Sequence, residues 1–504
     1  LSFSTSANQS LSSALTGSGS LLKTGNGTLT LSADNSGYAG SLTVGGGTLL
    51  LGNAAGLGAG VVTVLAGGTL DFASLAATNR IALNGGTLAN YGSWTGDLVV
   101  NYAGATGSGV TAALATYGRT SVTVLTGGSL DVSGLSSDVV LSGGSLAGDL
   151  SSYTGNLTVR SALSLASGTT SGKVTLDGGT IDLGNRQAAS GESLYYRSGS
   201  LLGAGNFRGD LLVDIAGANL AAGTLGATRV VVNAGKSVNV GVGFSNDIRL
   251  AGGEFVADSL TNYQGTVTVA GGATLDLDGA ADYPALVTAA NVVVERNARL
   301  KGNATVGAVT VQSGGILAPG NSPGKITAAS LSLAGGGTFE FEVSGVVDLF
   351  GNPVAIAGVD PAAVAGLYYD TIAVTGQLSL SQLLTGPKFQ LNLRSLFDGA
   401  VGAVNGWDPG VDWQFTLFSY GSLDLAPNTY LNRLFAINSD NFLNLDGTPV
   451  DASHFSVVND SLNNQVLLVY STIPEPSTYG LMLGGLALAA TAYRRRRAKG
   501  QAQS

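Results

Sequence analysis

Several chemically useful residue types are scarce in this sequence of 504 residues. Cysteine is absent, which excludes disulfide bonds, thiolate zinc sites and a cysteine nucleophile. A single histidine excludes a His-based metal site. Only 11% of the residues are charged, against about 25% in ordinary soluble domains, so Ser, Thr, Asn and Gly must supply the polar surface. The formal net charge of −9 argues against a nucleic-acid partner.

Methionine is also nearly missing. The only one is Met482, and the chain begins with Leu1. We therefore expect a mature form whose leader has been removed, with an arbitrary sequence boundary as the alternative.

Glycine, by contrast, occurs 77 times and forms a repeated phrase, Gly-Gly-Thr-Leu or a close variant. The first six copies begin at Gly46, Gly67, Gly85, Gly127, Gly143 and Gly178. Subtracting these numbers gives steps of 21, 18, 42, 16 and 35, which fit one unit of about 16 to 22 residues with some copies lost. A period of this length predicts a solenoid.

Each unit combines a turn with a strand. Gly-Gly allows a sharp corner, and the alternating apolar residues after it predict a strand with one face inward. Burying about six aliphatic side chains does not offset the conformational entropy of ordering about 20 residues, so one coil cannot fold alone. Stacked coils must stabilise one another, and both ends need caps.

The predicted fold is therefore all-β: a parallel β-helix, or β-solenoid, with a β-rich C-terminal cap and a single short C-terminal transmembrane helix. We predict four segments along the chain. They are an irregular N-terminal cap at 1–24, the repeat array at 25–346, a C-terminal β-rich extension at 347–470, and a sorting signal at 471–504.

A run near the N-terminus carries a family resemblance. Residues 17–31 read GSGSLLKTGNGTLTL, and residues 34–40 read DNSGYAG. This run resembles the autotransporter-associated β-strand repeat, densely over residues 17–72 and less so afterwards.

Aromatic turns recur along the array at Trp94, Tyr153 and Tyr263, each followed two residues later by Gly. These rings could form sugar-stacking platforms of a glycan-binding adhesin, or each could cover a coil corner. Because they lie several coils apart, we favour the corner interpretation.

Four acidic residues, Asp71, Asp131, Asp182 and Asp276, follow the phrase's Leu or Ile. One shared register could indicate a calcium ladder or a lyase groove. They lie about 50 to 94 residues apart and match no calcium-binding nonapeptide, so we predict solvated turn positions.

Two combinations raise the question of an active site. Ser453 precedes His454, but strand neighbours point to opposite faces and no Gly-x-Ser-x-Gly elbow is present, so we predict a surface or capping histidine. Asp276 and Asp278 form the best carboxylate pair for a polysaccharide-degrading β-helix. We see no Lys or Arg nearby to support that chemistry. We expect no enzymatic activity, no cofactor and no metal.

The C-terminal tail has three parts: Pro474-Glu475-Pro476, an apolar run from Gly480 to Ala492, and Arg494, Arg495, Arg496 and Arg497. The prolines predict an extended linker. The apolar run with its flanking tyrosines would make a helix of about 22 Å, short of the roughly 30 Å core of a bilayer, so it is a weak anchor. The arginines would stay cytoplasmic and orient the chain outward. A permanent tail anchor is the alternative to a removable one.

This arrangement resembles the PEP-CTERM sorting signal of Gram-negative bacteria. The resemblance implies recognition at Pro474, Glu475 and Pro476 by an exosortase, a membrane transpeptidase-like enzyme that removes the tail, and transient anchoring in the inner membrane. It also implies a destination at the cell surface or in the extracellular matrix.

From the repeat and the tail together we predict an exported, non-enzymatic structural or adhesive β-solenoid of the surface, biofilm or floc matrix. A glycan-binding adhesin, with exopolysaccharide as partner, and a polysaccharide-degrading β-helix are the alternatives. End-to-end stacking into a homo-oligomer or filament stays open.

Overall fold

The computed structural model describes residues 1–91, 94–100, 121–167, 170–189, 191–225, 228–241, 243–256, 263–278, 286–287, 290–320, 323–347, 352–354, 366–426 and 429–473. The chain divides into two compact units. The first comprises Leu1–Val231 and Lys236–Val238, and the second comprises Val232–Gly235 and Asn239–Ser504.

Within its described residues, the first unit consists of strands and a 3-10 turn at Leu150–Ser152. Its strands are β1 (Ser2–Ser4), β2 (Gln9–Leu11), β3 (Leu21–Thr24), β4 (Thr28–Leu31), β5 (Leu42–Val44), β6 (Gly47–Leu51), β7 (Val62–Leu65), β8 (Gly68–Asp71), β9 (Ile81–Asn84), β10 (Thr87–Ala89), β11 (Leu98–Val100), β12 (Val122–Leu125), β13 (Ser129–Asp131), β14 (Val139–Ser142), β15 (Ser145–Ala147), β16 (Leu157–Val159), β17 (Ala162–Ser164), β18 (Val174–Asp182), β19 (Ser193–Leu202), β20 (Asp210–Val213) and β21 (Ala218–Leu220). Two further strands contain residues of both units, β22 (Arg229–Asn233) and β23 (Val238–Val240).

Successive coils of the first unit stack through two parallel ladders. One ladder joins β1, β3, β5, β7, β9, β11, β12, β14, β16, β18, β19 and β20 in that order. The other joins β2, β4, β6, β8 and β10. Up to β10, successive coils thus supply strands to two sheets, and each strand pairs with its counterpart about one repeat away. Further along, β13 pairs with β15, and β17 pairs with β18 of the first ladder.

The hydrophobic core lies between these sheets. Along the first ladder one inward position is aliphatic in coil after coil, and its occupants are Val44, Val64, Leu83, Val100, Val124, Leu141, Val159 and Leu176. All of them are buried. Period-2 alternation places these side chains inside and the polar residues between them outside.

The two glycines of the repeated phrase have different structural roles, as the corner at Gly67-Gly68 shows. Gly67 has φ +85°, a left-handed conformation that side chains disfavour. A Cβ at Gly68 would lie 2.3 Å from the carbonyl oxygen of Val44 on the preceding coil. The first glycine therefore turns the chain, and the second allows the coils to approach.

The second unit also contains 3-10 turns at Ser381–Leu384, Leu431–Arg433 and Ala452–His454. Its strands are β24 (Ile248–Ala251), β25 (Glu254–Val256), β26 (Thr266–Ala270), β27 (Thr274–Asp276), β28 (Leu286–Val287), β29 (Asn291–Val294), β30 (Arg299–Gly302), β31 (Ala304–Val311), β32 (Ile316–Pro319), β33 (Lys325–Leu333), β34 (Thr338–Val343), β35 (Thr371–Ser379), β36 (Phe389–Phe397), β37 (Ala400–Val401), β38 (Trp413–Leu423), β39 (Phe435–Asn441), β40 (Phe455–Asp460) and β41 (Gln465–Tyr470).

The second unit repeats the parallel arrangement and then ends it. One ladder joins β24, β26, β29, β31, β33, β35 and β38, and the other joins β25, β27, β30, β32, β34, β36 and β39. Parallel pairing thus continues beyond residue 346. At the C-terminal end β41 pairs antiparallel with both β38 and β40.

Aromatic side chains replace aliphatic ones in the core near this end. Phe341 lies against Tyr369 and Phe415 with ring centroids 6.1 and 5.9 Å apart, respectively. Trp407 stacks on Trp413 with a centroid separation of 5.7 Å. All five rings are buried, so the later coils fill their core with bulkier side chains than the aliphatic position of the first ladder.

The predicted all-β parallel β-solenoid is confirmed. Residues 1–24, predicted as an irregular cap, contain β1, β2 and β3, which pair in the same way as later strands. The predicted transmembrane helix lies outside the described residues. Within the described ranges, no helix has the length and apolar character needed to cross a bilayer.

Candidate functional site

The corner aromatics are buried parts of the fold. Trp94 is 1% exposed, and Tyr153 and Tyr263 are fully buried. The Tyr153 hydroxyl donates to the carbonyl oxygens of Ser137, on the preceding coil, and Asn156, on its own coil, at 2.9 and 2.8 Å. Each ring therefore ties two coils together at a corner, as the corner interpretation predicted, and offers no face to a sugar.

Burial also sets the protonation of these tyrosines. Loss of solvation raises the pKa of both Tyr153 and Tyr263 above the ordinary value of 10.0, and Asp138 and Asp247, respectively, add repulsion of the phenolate. Both hydroxyls stay protonated at physiological pH and remain hydrogen-bond donors. Phe207 is also fully buried, and it is followed two residues later by Gly209, which is closely packed. It occupies a similar corner, which the sequence pattern of Trp and Tyr corners did not include.

The four acidic residues after the strands share one local task. In each case Oδ1 accepts a hydrogen bond from the backbone N–H two residues later, at 2.9 to 3.0 Å; the residues are Asp71, Asp131, Asp182 and Asp276. These bonds form Asx turns at strand ends, which agrees with the predicted turn positions, but the Asp276 side chain is only 13% exposed and is not solvated as predicted. Among the described residues, no three His, Cys, Asp or Glu side chains come close enough to hold a metal ion.

The Asp276 and Asp278 carboxylates are engaged by the next coil. Lys301 Nζ lies 3.0 Å from Asp276 Oδ2, so the expectation that no cation lies nearby was wrong. Parallel pairing of β27 with β30 brings Lys301 beside Asp276, although the two are 25 residues apart in sequence. Asp278 Oδ1 accepts from the Asn303 side-chain amide at 2.7 Å.

His454 belongs to the C-terminal cap. Its Nδ1 lies 2.7 Å from the Ser471 carbonyl oxygen, and its ring stacks on Tyr470 with centroids 5.4 Å apart. Asp451 caps the short 3-10 turn by accepting from the Ser453 N–H, and this bond lowers the pKa of Asp451. The Ser, His and Asp side chains thus serve local structure, in line with the predicted capping role.

A polar groove of about 330 Å³ lies on the outward face of the second unit. Its lining comprises Glu340, Asn392, Leu393, Arg394, Val401, Asn438 and Asn441. Three parallel strands build it, because β34, β36 and β39 place Glu340, Asn392 and Asn438 side by side. The two-residue hairpin between β36 and β37, at Asp398-Gly399, brings Val401 to its edge.

Ion pairs hold the charged side chains of this face. The Arg299 guanidinium binds both oxygens of Glu340, with Nη2 at 2.7 Å from Oε1. Arg394 Nη1 donates to Glu342 Oε1 at 2.9 Å. Behind the strand, the buried Asp370 carboxyl accepts from the Glu342 N–H at 2.9 Å, and desolvation raises its pKa well above 3.8.

Sequence reasoning missed this groove. The alternating pattern of residues 339–343 is enough to place Glu340 and Glu342 on one face. It could not indicate Asn392 and Asn438, because the register partners here lie 52 and 46 residues apart, far from the repeat length of the early coils.

The folded part of the chain leads directly into the sorting segment. Thr472 donates its backbone N–H to Asp412 Oδ1 at 2.7 Å, and Ile473 is 64% exposed. Pro474, Glu475 and Pro476, and Arg494, Arg495, Arg496 and Arg497, lie outside the described residues. The described part of the chain therefore ends as an exposed segment that follows β41 beside the antiparallel cap.

Comparison with protein families identifies residues 472–497 as a PEP-CTERM protein-sorting motif. No curated protein matches the chain. The motif is an exosortase recognition signal, and it implies that the protein is exported to the cell surface or extracellular space.

Proposed function

We propose that the protein is a non-enzymatic structural element of the bacterial surface or extracellular matrix, which an exosortase releases from a transient anchor in the inner membrane. The observation that carries this proposal is the sorting motif at 472–497, placed immediately after a β-solenoid whose last strands form an antiparallel cap. Cutting in this segment would leave the cap intact.

The stacked coils support a mechanical role. Their interior is filled with aliphatic and aromatic side chains, and within each unit parallel ladders hold coil to coil. Such repeats gain stability from their neighbours, which suits an element exposed outside the cell without cysteine cross-links.

The candidate catalytic groups interact with structural neighbours, which favours this role over hydrolysis. Asp278 is hydrogen-bonded to Asn303, and His454 to the Ser471 carbonyl. The ion pair of Asp276 with Lys301 adds nothing to this argument, because it supplies the cation whose absence counted against polysaccharide-degrading chemistry. Because the corner aromatics are buried, they cannot form the sugar-stacking platforms on which the adhesin alternative first depended.

Processing is tested in cells with and without the exosortase. We expect wild-type protein to lose its C-terminal tail and reach the surface only when the enzyme is present, as mass spectrometry of the surface fraction would show. Pro474→Ala with Pro476→Ala should block the cut, because the residues of the recognition motif are replaced.

Ser477→Ala with Thr478→Ala is the matched control, because it alters neighbouring residues within the sorting motif and leaves Pro474, Glu475 and Pro476 unchanged. We expect normal processing of this variant. An intact tail on wild-type surface protein from exosortase-containing cells would refute the proposal.

A further inference from the structure

The outward groove is formally neutral despite its charged side chains. Glu340 is paired with Arg299, and the adjacent Glu342 is paired with Arg394. Both ion pairs are partly buried, and in each the positive and negative charges cancel. The groove therefore has no net charge to attract a strongly charged ligand.

Amide groups supply the free hydrogen-bonding capacity of the groove. Within the described part of the chain, the side chains of Asn392 and Asn441 have no hydrogen-bond partner. Asn438 uses only Oδ1, which accepts from the Asp440 N–H at 2.9 Å. Each amide presents both a donor and an acceptor, and water bound there can be exchanged for ligand hydroxyls.

One apolar side chain, that of Val401, borders these amides. It lines the groove and is 41% exposed. An apolar side chain beside amides suits a ligand that carries both C–H faces and hydroxyl groups. The groove volume of about 330 Å³ is at the lower end of the range for small-ligand sites.

From these features we infer that the groove between β34, β36 and β39 binds a short segment of a neutral glycan, with Asn392, Asn438 and Asn441 contacting hydroxyls and Val401 contacting a ring face. Arg394 contributes through guanidinium N–H groups beyond the one that binds Glu342. This site goes beyond the proposed scaffold role and gives the solenoid a means of holding matrix polysaccharide.

The test is calorimetric titration of the full chain, purified in mild detergent. The probes are neutral tetrasaccharides of glucose, mannose, galactose and N-acetylglucosamine, with a tetra-uronate as the charged comparison. We expect at least one neutral tetrasaccharide to bind, more tightly than the tetra-uronate. In Asn392→Ala with Asn441→Ala, its Kd should rise about tenfold, because two direct hydrogen bonds are lost.

Gln390→Ala is the matched control, because Gln390 lies on the same strand and outward face but outside the groove. Its Kd should stay within about twofold of wild type. If the double variant has an altered thermal midpoint, each single variant is titrated, with an expected rise of about threefold.

Absence of binding to every neutral tetrasaccharide, preference for the tetra-uronate, or an unchanged Kd in the asparagine variants would overturn the inference. None of these results depends on exosortase processing, so this inference and the proposed function can fail independently.

Discussion

At the scale of single residues, the aromatic-x-Gly corner explains why a glycine follows two positions after a buried ring. Tyr153 spans two coils through its hydroxyl, and Gly155 lets the preceding coil approach. A Cβ at Gly155 would lie 2.2 Å from the Ser137 carbonyl oxygen, which is backbone and cannot rotate away. The pair works together, because the close approach brings the carbonyl within reach of the tyrosine.

Gly155→Ala should therefore lower the free energy of unfolding by about 1–3 kcal/mol, since the coils must separate to admit the methyl group. Gly19→Ala is the matched control: nothing lies within 4 Å of a Cβ there, and its φ is not left-handed. Its effect should stay within about 0.5 kcal/mol. Urea unfolding followed by circular dichroism measures both, and equal shifts in the two variants would contradict the close-approach explanation.

At the scale of elements, the C-terminal end is closed by a change of strand direction. Parallel pairing runs to β38, and β41 and β40 then add antiparallel strands. A further parallel coil cannot continue the ladder on the edge of β38 that β41 occupies. Among the described strands the cap leaves a new edge at β40, which pairs with β41 alone, but it covers the edge of β38 that end-to-end stacking into filaments would use.

Disruption of the cap should expose that edge. Leu468 is fully buried in β41, so Leu468→Asp would bury an unpaired charge; it should destabilise the cap by several kcal/mol and promote aggregation. Leu462, at the β40–β41 turn, is 94% exposed, and Leu462→Asp serves as the control with no expected change. Light scattering on incubation measures the difference, and a Leu468→Asp protein that stays monomeric would argue against edge protection.

At the scale of the whole molecule, processing would change the charge as well as the anchor. The intact chain has 23 cationic and 32 acidic residues, a net charge of −9. Removal of Arg494, Arg495, Arg496, Arg497 and Lys499 leaves 23 − 5 = 18 cationic residues, and a form cut after Glu475 therefore carries 18 − 32 = −14. The released product should repel anionic surfaces more strongly than its precursor.

The cut form should therefore elute later than the intact chain from an anion exchanger at pH 7, and the gap should shrink as salt screens the charges. Substitution of the four arginines by serine changes the intact chain to −13 without a cut, because 19 − 32 = −13. That variant is the charge control and should elute near the cut form. Co-elution of intact and cut wild-type chains at low salt would contradict the charge difference.

Much of the fold could be predicted from sequence because its signals are local. The Gly-Gly phrase fixes corners, and alternation fixes which side chains face inward. The spacing of Leu29, Leu49 and Leu70 matches the register in which they stack. The corner role of Tyr153 followed from its spacing from the other rings, and the sorting segment from the order of Pro-Glu-Pro, apolar run and arginines.

Other features depend on which coils become neighbours in space. Lys301 reaches Asp276, and Glu340 aligns with Asn392, because strands pair across intervals of 25 and 52 residues. Loops of variable length separate these partners. The local pattern that specifies a strand does not indicate how long the loop to its partner is. The sequence by itself thus determined the β-solenoid and its export signal. Only the tertiary structure decided which acids are neutralised and where a groove opens, because each depends on the register between distant strands.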